Sequence, residues 1–214
     1  MSTNTTAPGK SKPRQPLIVR RRIKIGQALI LPSLFIVLFV RHPWPEGSYI
    51  DFALDTIGYA LLLAGVLGRL WCTLYIGGRK QSTLQQTGPY SMVRHPLYVC
   101  NLLIALGICV LSQNLILLAL VLAYFVWQYR TTIRFEEAEL ARIFEEEHAQ
   151  YTKSVPCFIP KVSALRFDPP ETVNLKPLKS EVVRAGVFLS LVPLFHLLSL
   201  LQENGVLPSL IRLP

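Results

Sequence analysis

The sequence predicts an all-α protein, a polytopic bundle of about five membrane-crossing helices. Three observations carry that expectation. The chain is 51% hydrophobic and 16% charged, with a mean hydropathy of +0.38, whereas soluble domains carry roughly 25% charged residues. Apolar runs recur at residues 25–40, 57–76, 97–111, 115–127 and 187–201, and a helix needs about 20 residues to span a bilayer. The basic residues stand between these runs. This composition excludes disorder, a secreted disulfide scaffold and an ordinary cytosolic enzyme. The net charge of +9 suits either nucleic acid or an acidic membrane surface. Its position beside the apolar runs assigns it to the membrane and not to nucleic acid.

Residues 1–24 are polar and basic, with Pro8, Pro13 and Pro16, and read as a disordered cytoplasmic tail. The run at 25–40 resembles a signal-peptide core. No small-residue cleavage site precedes Arg41-His42-Pro43-Trp44-Pro45, so an uncleaved first helix is expected. The run at 57–76 spans outright. Read as one helix, 97–127 would extend about 46 Å, too long for a hydrocarbon core of about 30 Å. It would also bury Ser112-Gln113-Asn114 mid-bilayer. A hairpin with those three residues as its turn is predicted instead, followed by a last helix at 182–201. The chain thus divides into the tail (1–24), a membrane core (25–160), a linker (161–181) and a C-terminal helix with a short tail (182–214).

Charge supports the hairpin. With five helices, nineteen of the 22 basic residues fall on one side, which the positive-inside rule makes cytoplasmic. Arg41 and Arg212 fall opposite, and Arg69 lies within a helix. Most polar chain then faces the cytoplasm, at 77–94 and 130–184. Cys72, Cys100, Cys109 and Cys157 show no paired spacing, so neither a disulfide framework nor a zinc site is implied.

The first polar block ends Gly88-Pro89-Tyr90-Ser91-Met92-Val93-Arg94-His95-Pro96-Leu97-Tyr98. Gly88-Pro89 signals a turn, and Pro96 suits the first turn of a helix. The first hairpin arm therefore starts near His95, where a helix N-terminus attracts an anion. The second arm continues through Arg130, Arg134, Glu136 and Glu137 to about Gln150. Arg130, Arg134 and Glu137 share a face at i, i+4, i+7. The hairpin returns the glutamates to the side of His95. A helix end, arginines and carboxylates suit a zwitterionic or cationic ligand such as S-adenosylmethionine. The Gly-rich dinucleotide fingerprint is missing, since Gly77-Gly78 is no such motif. Interfacial anchoring and solvated ion pairs are the structural alternatives for the same residues.

Gly88-Pro89-Tyr90-x-x-Val93-Arg94-His95-Pro96-x-Tyr98 resembles the first signature of the isoprenylcysteine carboxyl methyltransferase and phospholipid methyltransferase superfamily. Glu136-Glu137…Leu140…Phe144…Tyr151…Val155-Pro156-Cys157-Phe158-Ile159-Pro160 is similar to its second. Gly65…Arg69-Leu70-Trp71, ahead of Gly77-Gly78-Arg79, looks like the helix that precedes them. The match covers roughly 57–160. It implies a helical membrane enzyme that uses S-adenosylmethionine on the cytoplasmic side and receives a lipidic or prenylated substrate laterally from the bilayer. By position, Tyr90, His95, Pro96, Leu97, Tyr98, Glu136 and Glu137 would contact the cofactor, with Leu84 and Gln85 on the approach. Arg94 and Arg134 would act at the reacting groups, and no metal ligand is implied.

The chain departs from the pattern at four positions. Cys100 stands for Gly, Thr132 for an Arg implicated at the substrate, Glu145 for a common Gly, and His148 for an aromatic residue. The expected activity is methyl transfer to a carboxylate or phosphate oxygen of a lipidic substrate, in a bacterial inner membrane or the endoplasmic reticulum. A phospholipid amine N-methyltransferase, an NADPH-dependent sterol-reductase-like enzyme and a non-catalytic membrane scaffold are the alternatives.

Overall fold

The computed structural model describes residues 40–41, 44, 47–76, 83–170, 173–206 and 211–212. The tail at 1–24, the first apolar run up to residue 39 and Gly77-Gly78-Arg79 lie outside the described residues. In chain order the elements are β1 (Val40–Arg41), α1 (Tyr49–Ile76), α2 (Pro89–Met92), α3 (Pro96–Leu111), α4 (Leu115–Ser154), a 3₁₀ turn (Val162–Ala164), α5 (Leu175–Glu203) and β2 (Ile211–Arg212). Among the described residues, α1, α4 and α5 are long and apolar enough to cross a membrane, and α3 is shorter. The protein is a helical membrane bundle.

α1 begins eight residues before its apolar run because its start is capped. The Asp51 amide donates to Ser48 Oγ at 3.2 Å, and the Gly47 amide to Asp51 Oδ2 at 2.9 Å. It packs antiparallel on α3 through glycines. A Cβ on Gly58 would lie 2.9 Å from the Leu111 nitrogen, and one on Gly107 would lie 2.7 Å from the Leu62 nitrogen. Small residues let helix backbones approach closely where lipid removes the hydrophobic drive between helices. Leu62, Val66, Ile104 and Leu111 form the buried centre, against which Phe188, Leu189, Val192 and Phe195 of α5 pack. Towards the polar end, Cys72, Tyr75, Tyr90 and Cys100 form a second buried cluster. Cys100, the departure from Gly, is accommodated by Gly68, where a Cβ would meet Cys100 Sγ at 2.6 Å.

The hairpin turns at residues 112–114. Asn114 caps α4 by accepting from the Leu117 amide at 3.0 Å. Gln113, at φ 48, donates to Asp51 Oδ1 at 2.5 Å and pins the turn to the start of α1. α4 runs to Ser154 with one break, at Glu145 (φ 37, ψ −105). The β1–β2 pairing is parallel, with Val40 opposite Ile211 and Arg41 opposite Arg212. It joins the segment entering α1 to the one leaving α5, the two places expected on the side opposite the main basic blocks.

Besides the early start of α1, one boundary differs from the sequence reading. α5 starts at Leu175, inside the expected 161–181 linker, because Asn174 accepts from the Lys176 amide and nucleates a turn ahead of the apolar run. That extension carries Glu181, which is 8% exposed. Arg69 Nε and Nη2 donate to its carboxylate at 3.1 and 2.8 Å, and Arg184 also bonds it. Arg69 bonds Asn101 as well, and the Asn101 amide donates to the Tyr129 hydroxyl at 2.9 Å. An ion pair thus ties α5 to α1, and through Asn101 to the hairpin.

Breaking a buried pair leaves one charge uncompensated, whereas replacing both partners by apolar residues is far milder. Glu181→Leu is therefore expected to lower stability in detergent by about 3 kcal/mol. Arg69→Met/Glu181→Leu should recover most of that loss in a thermal unfolding series. At Glu145 the left-handed φ disfavours any side chain. Glu145→Gly should be more stable than Glu145→Ala by about 1 kcal/mol, measured by the same method.

Candidate functional site

At the polar end of the bundle, α2 is a single turn framed by Gly88 and Val93. Gly88 has φ 61, and a Cβ there would lie 2.4 Å from the Tyr75 ring, so only glycine fits. The segment after α4 straps this turn in place. The Gly88 amide donates to the Arg166 carbonyl, the Arg94 amide to that of Pro156, and the Lys161 amide to that of Met92, each at 2.9 Å. The Tyr151 hydroxyl donates to the Tyr90 carbonyl at 2.6 Å. His95 is the N-cap of α3, and Pro96 occupies its first turn. The two family-like segments therefore fold onto each other.

Their meeting point is the Glu137 carboxylate. Arg94 Nη1 donates to Oε2 at 2.6 Å, and His95 Nε2 is 2.6 Å from Oε1. His148 Nε2 stands 3.6 Å from Oε2. Glu136 approaches the other ring nitrogen of His95, with Oε2 3.9 Å from Nδ1. Beyond the apolar run of α4, burial pushes the Glu137 carboxyl up. The His95 hydrogen bond and the charges of His95, Arg94 and His148 outweigh that push and hold it below the ordinary range. Burial raises the Tyr90 hydroxyl well above its usual value and keeps it a proton donor. It also raises the Cys157 thiol against the opposing charge of Arg94.

An aromatic file leads from this cluster towards the membrane. His95 stacks on Tyr98 with centroids 5.6 Å apart, Tyr98 meets Tyr129 edge-on at 4.7 Å, and Tyr129 stacks on Phe125 at 3.9 Å. Thr132, the departure from Arg, is 2% exposed and bonds back to the Gln128 carbonyl at 3.0 Å. A hydroxyl on the helix interior thus stands where the family pattern puts a cation.

The structure brings Arg94, His95, Glu136 and Glu137 together, with Tyr98 stacked on His95, Pro96 next to it in α3 and Leu97 packed against the cluster that holds Tyr90. Leu84 and Gln85 are half-buried on the approach, where Gln85 Nε2 donates to Thr87 Oγ1 at 2.8 Å. Arg134 is exposed and lines a shallow groove with Leu122, Val126, Trp127 and Arg130. It shares a helix face with Glu137, which Arg94 and His95 bond. His148, Tyr151 and Cys157 belong to the site and were not singled out by chemistry along the sequence. A straight helix would set His148 about 16 Å along the axis from Glu137, and the break at Glu145 folds it back.

Buried polar atoms remain without a hydrogen-bond partner among the described residues: Tyr90 Oη, Arg94 Nε and His148 Nε2. Such atoms ordinarily find partners. With the two carboxylates, they fit a polar ligand carrying both charges.

The isoprenylcysteine carboxyl methyltransferase (ICMT) family matches residues 56–142. The cobalt-zinc-cadmium resistance protein CzcN of Cupriavidus metallidurans is 34% identical over 96% of this chain and 94% of that protein. The nickel-cobalt-cadmium resistance protein NccN of Alcaligenes xylosoxydans is 32% identical over 94% of each. A protein-S-isoprenylcysteine O-methyltransferase of Schizosaccharomyces pombe is 41% identical over 39% of this chain and 35% of its own length. No solved structure matches. The membrane bundle, the paired signatures and these relatives agree that the chain belongs to the isoprenylcysteine carboxyl methyltransferase family, a family of membrane methyltransferases.

Proposed function

We propose that the protein transfers a methyl group from S-adenosylmethionine to an oxygen of a lipidic acceptor, at a cytoplasm-facing site reached laterally from the bilayer. One observation carries this reading: Arg94 and His95 at the start of α3 converge on Glu137, beside Glu136 and the Tyr90 hydroxyl, which has no hydrogen-bond partner among the described residues. Tyr90, His95, Pro96, Leu97, Tyr98, Glu136 and Glu137 would hold the cofactor, with Leu84 and Gln85 on the approach. That cofactor supplies an electrophilic methyl group on a sulfonium. The chain's own contribution is positioning, which supplies roughly 7–11 kcal/mol when reacting atoms are held close and aligned.

Glu136 offers its carboxylate to a cationic group, and the start of α3 favours an anionic one. Arg94 lies where it can orient an anionic acceptor. A carboxylate or phosphate needs no base, whereas an amine must lose a proton. His95 and Glu137 are already bonded to each other at 2.6 Å, which favours an acceptor that is anionic from the start. The groove of Leu122, Val126, Trp127, Arg130 and Arg134 joins apolar surface to cations, a composition suited to lipid chains and their headgroups. Arg134, expected at the reacting groups, would meet the headgroup of the acceptor from this groove. The names of the two full-length relatives point to tolerance of cobalt, nickel, zinc or cadmium. Methyl transfer is the activity through which the chain would serve such a role.

The test uses the protein in lipid nanodiscs with methyl-labelled S-adenosylmethionine. Label should enter the lipid fraction in base-labile form, as an ester. His95→Ala and Glu136→Gln should each lower the rate about 100-fold, the scale of a misplaced reactant, while the helical content stays unchanged. Base-stable label would move the acceptor to an amine. No transfer by folded protein in any lipid or prenylcysteine mixture, or wild-type rates in both variants, would overturn the reading.

A further inference from the structure

The same end of the bundle holds a set of side chains that methyl transfer does not call for. A ring nitrogen of His95, a Glu137 carboxylate oxygen and Cys157 Sγ all lie within 4.8 Å of one another. His148 adds a fourth donor, with Nε2 3.6 Å from Glu137 Oε2. It is 6% exposed, and Nε2 has no hydrogen-bond partner among the described residues. A buried imidazole nitrogen aimed at a carboxylate without bonding to it calls for something between them. We propose that His95, Glu137, His148 and Cys157 bind a thiophilic divalent cation, zinc or cadmium, which excludes the methyl donor from the site.

The donor types select the ion. A thiolate and two imidazoles favour zinc-like cations, whereas magnesium and calcium take oxygen ligands. Zinc bonds of about 2.0–2.3 Å place tetrahedral donors about 3.5 Å apart. His95, Glu137 and Cys157 bracket that value, from 2.6 Å between His95 and Glu137 to the 4.8 Å limit of their cluster, and His148 stands 3.6 Å from Glu137. Side-chain rotation at Cys157 and His148 closes the wider gaps. The narrow one opens as the metal replaces the proton between His95 and Glu137. The Cys157 thiol gives its proton to solvent. His95 keeps one proton, on Nδ1, the nitrogen that lies 3.9 Å from Glu136 Oε2, and a hydrogen bond from there to a carboxylate would fix a metal-bound imidazole.

Arg94 competes for the Glu137 carboxylate, which makes capture reversible. The cation and the proposed cofactor both use His95 and Glu137. Exclusion of the methyl donor therefore rests on the methyltransferase reading, whereas cation binding does not. Cys72 and Cys100 supply a control, since they are buried in the cluster with Tyr75 and Tyr90 and are not among the grouped donors.

The experiment titrates Cd²⁺ into detergent-purified protein without cofactor and follows the ultraviolet absorbance of cadmium–thiolate bonds. One equivalent should give the band. Cys157→Ser should abolish it, His148→Phe should weaken binding about tenfold, and Cys72→Ser should leave it intact. Zn²⁺ should displace Cd²⁺, and Mg²⁺ should not. A missing band in folded protein, or one that survives Cys157→Ser, overturns the site. Calorimetry of S-adenosylmethionine, with and without saturating Cd²⁺, separates the two claims. Unaltered affinity under Cd²⁺ refutes exclusion of the donor. Failure of donor binding beside an intact cadmium band removes the methyltransferase reading and leaves the cation site standing.

Discussion

The Glu137 carboxylate receives Arg94 and His95 from a segment more than forty residues earlier, and much of the polar end depends on that meeting. It requires α4 to leave the membrane on the side where α3 entered, which the turn at 112–114 provides. It also requires the α2–α3 segment to be held still, which the strap at 156–166 provides through backbone hydrogen bonds. A carboxylate, an arginine and a histidine that meet half-buried are costly unless each is paired. Here the pairing holds the functional groups in place as well as offsetting their desolvation.

Hairpin packing in turn rests on glycine. α1 and α3 approach so closely at Gly58, Gly65 and Gly107 that a Cβ would overlap the facing backbone. That contact sets the height of His95 relative to α1, and Arg69 anchors α5 to the same pair. The C-terminal helix, which has no counterpart in the paired signatures, is thus joined by its ion pair and Asn101 to Tyr129. Tyr129 stands in the aromatic file that ends on His95.

The parts legible in the sequence were those set by short-range patterns. Ser112-Gln113-Asn114 interrupts an apolar run too long for a bilayer, so the hairpin could be read, and Pro96 marked the start of α3. The return of Glu136 and Glu137 to the side of His95 followed from that topology, whereas the direct bonds of Arg94 and His95 to Glu137 did not. What escaped depends on distant or irregular geometry. Arg134 lies on the expected face, and its exposure in a groove is a tertiary fact. Glu145 stands where the family has glycine, and only its positive φ shows the chain folding back to bring His148 to Glu137. Arg69 was seen within a helix, yet its partner Glu181 lay in a stretch read as linker. The cysteine spacings gave no metal motif because the donors converge in space from three separate segments.

The central claim is that this polar end binds the methyl donor. Calorimetric titration of detergent-purified protein with S-adenosylmethionine and with its demethylated product, with NADPH in parallel, tests it most directly. The account predicts heat from the two sulfur compounds and none from NADPH. Binding of NADPH alone, or no binding by protein shown to be folded, would contradict it.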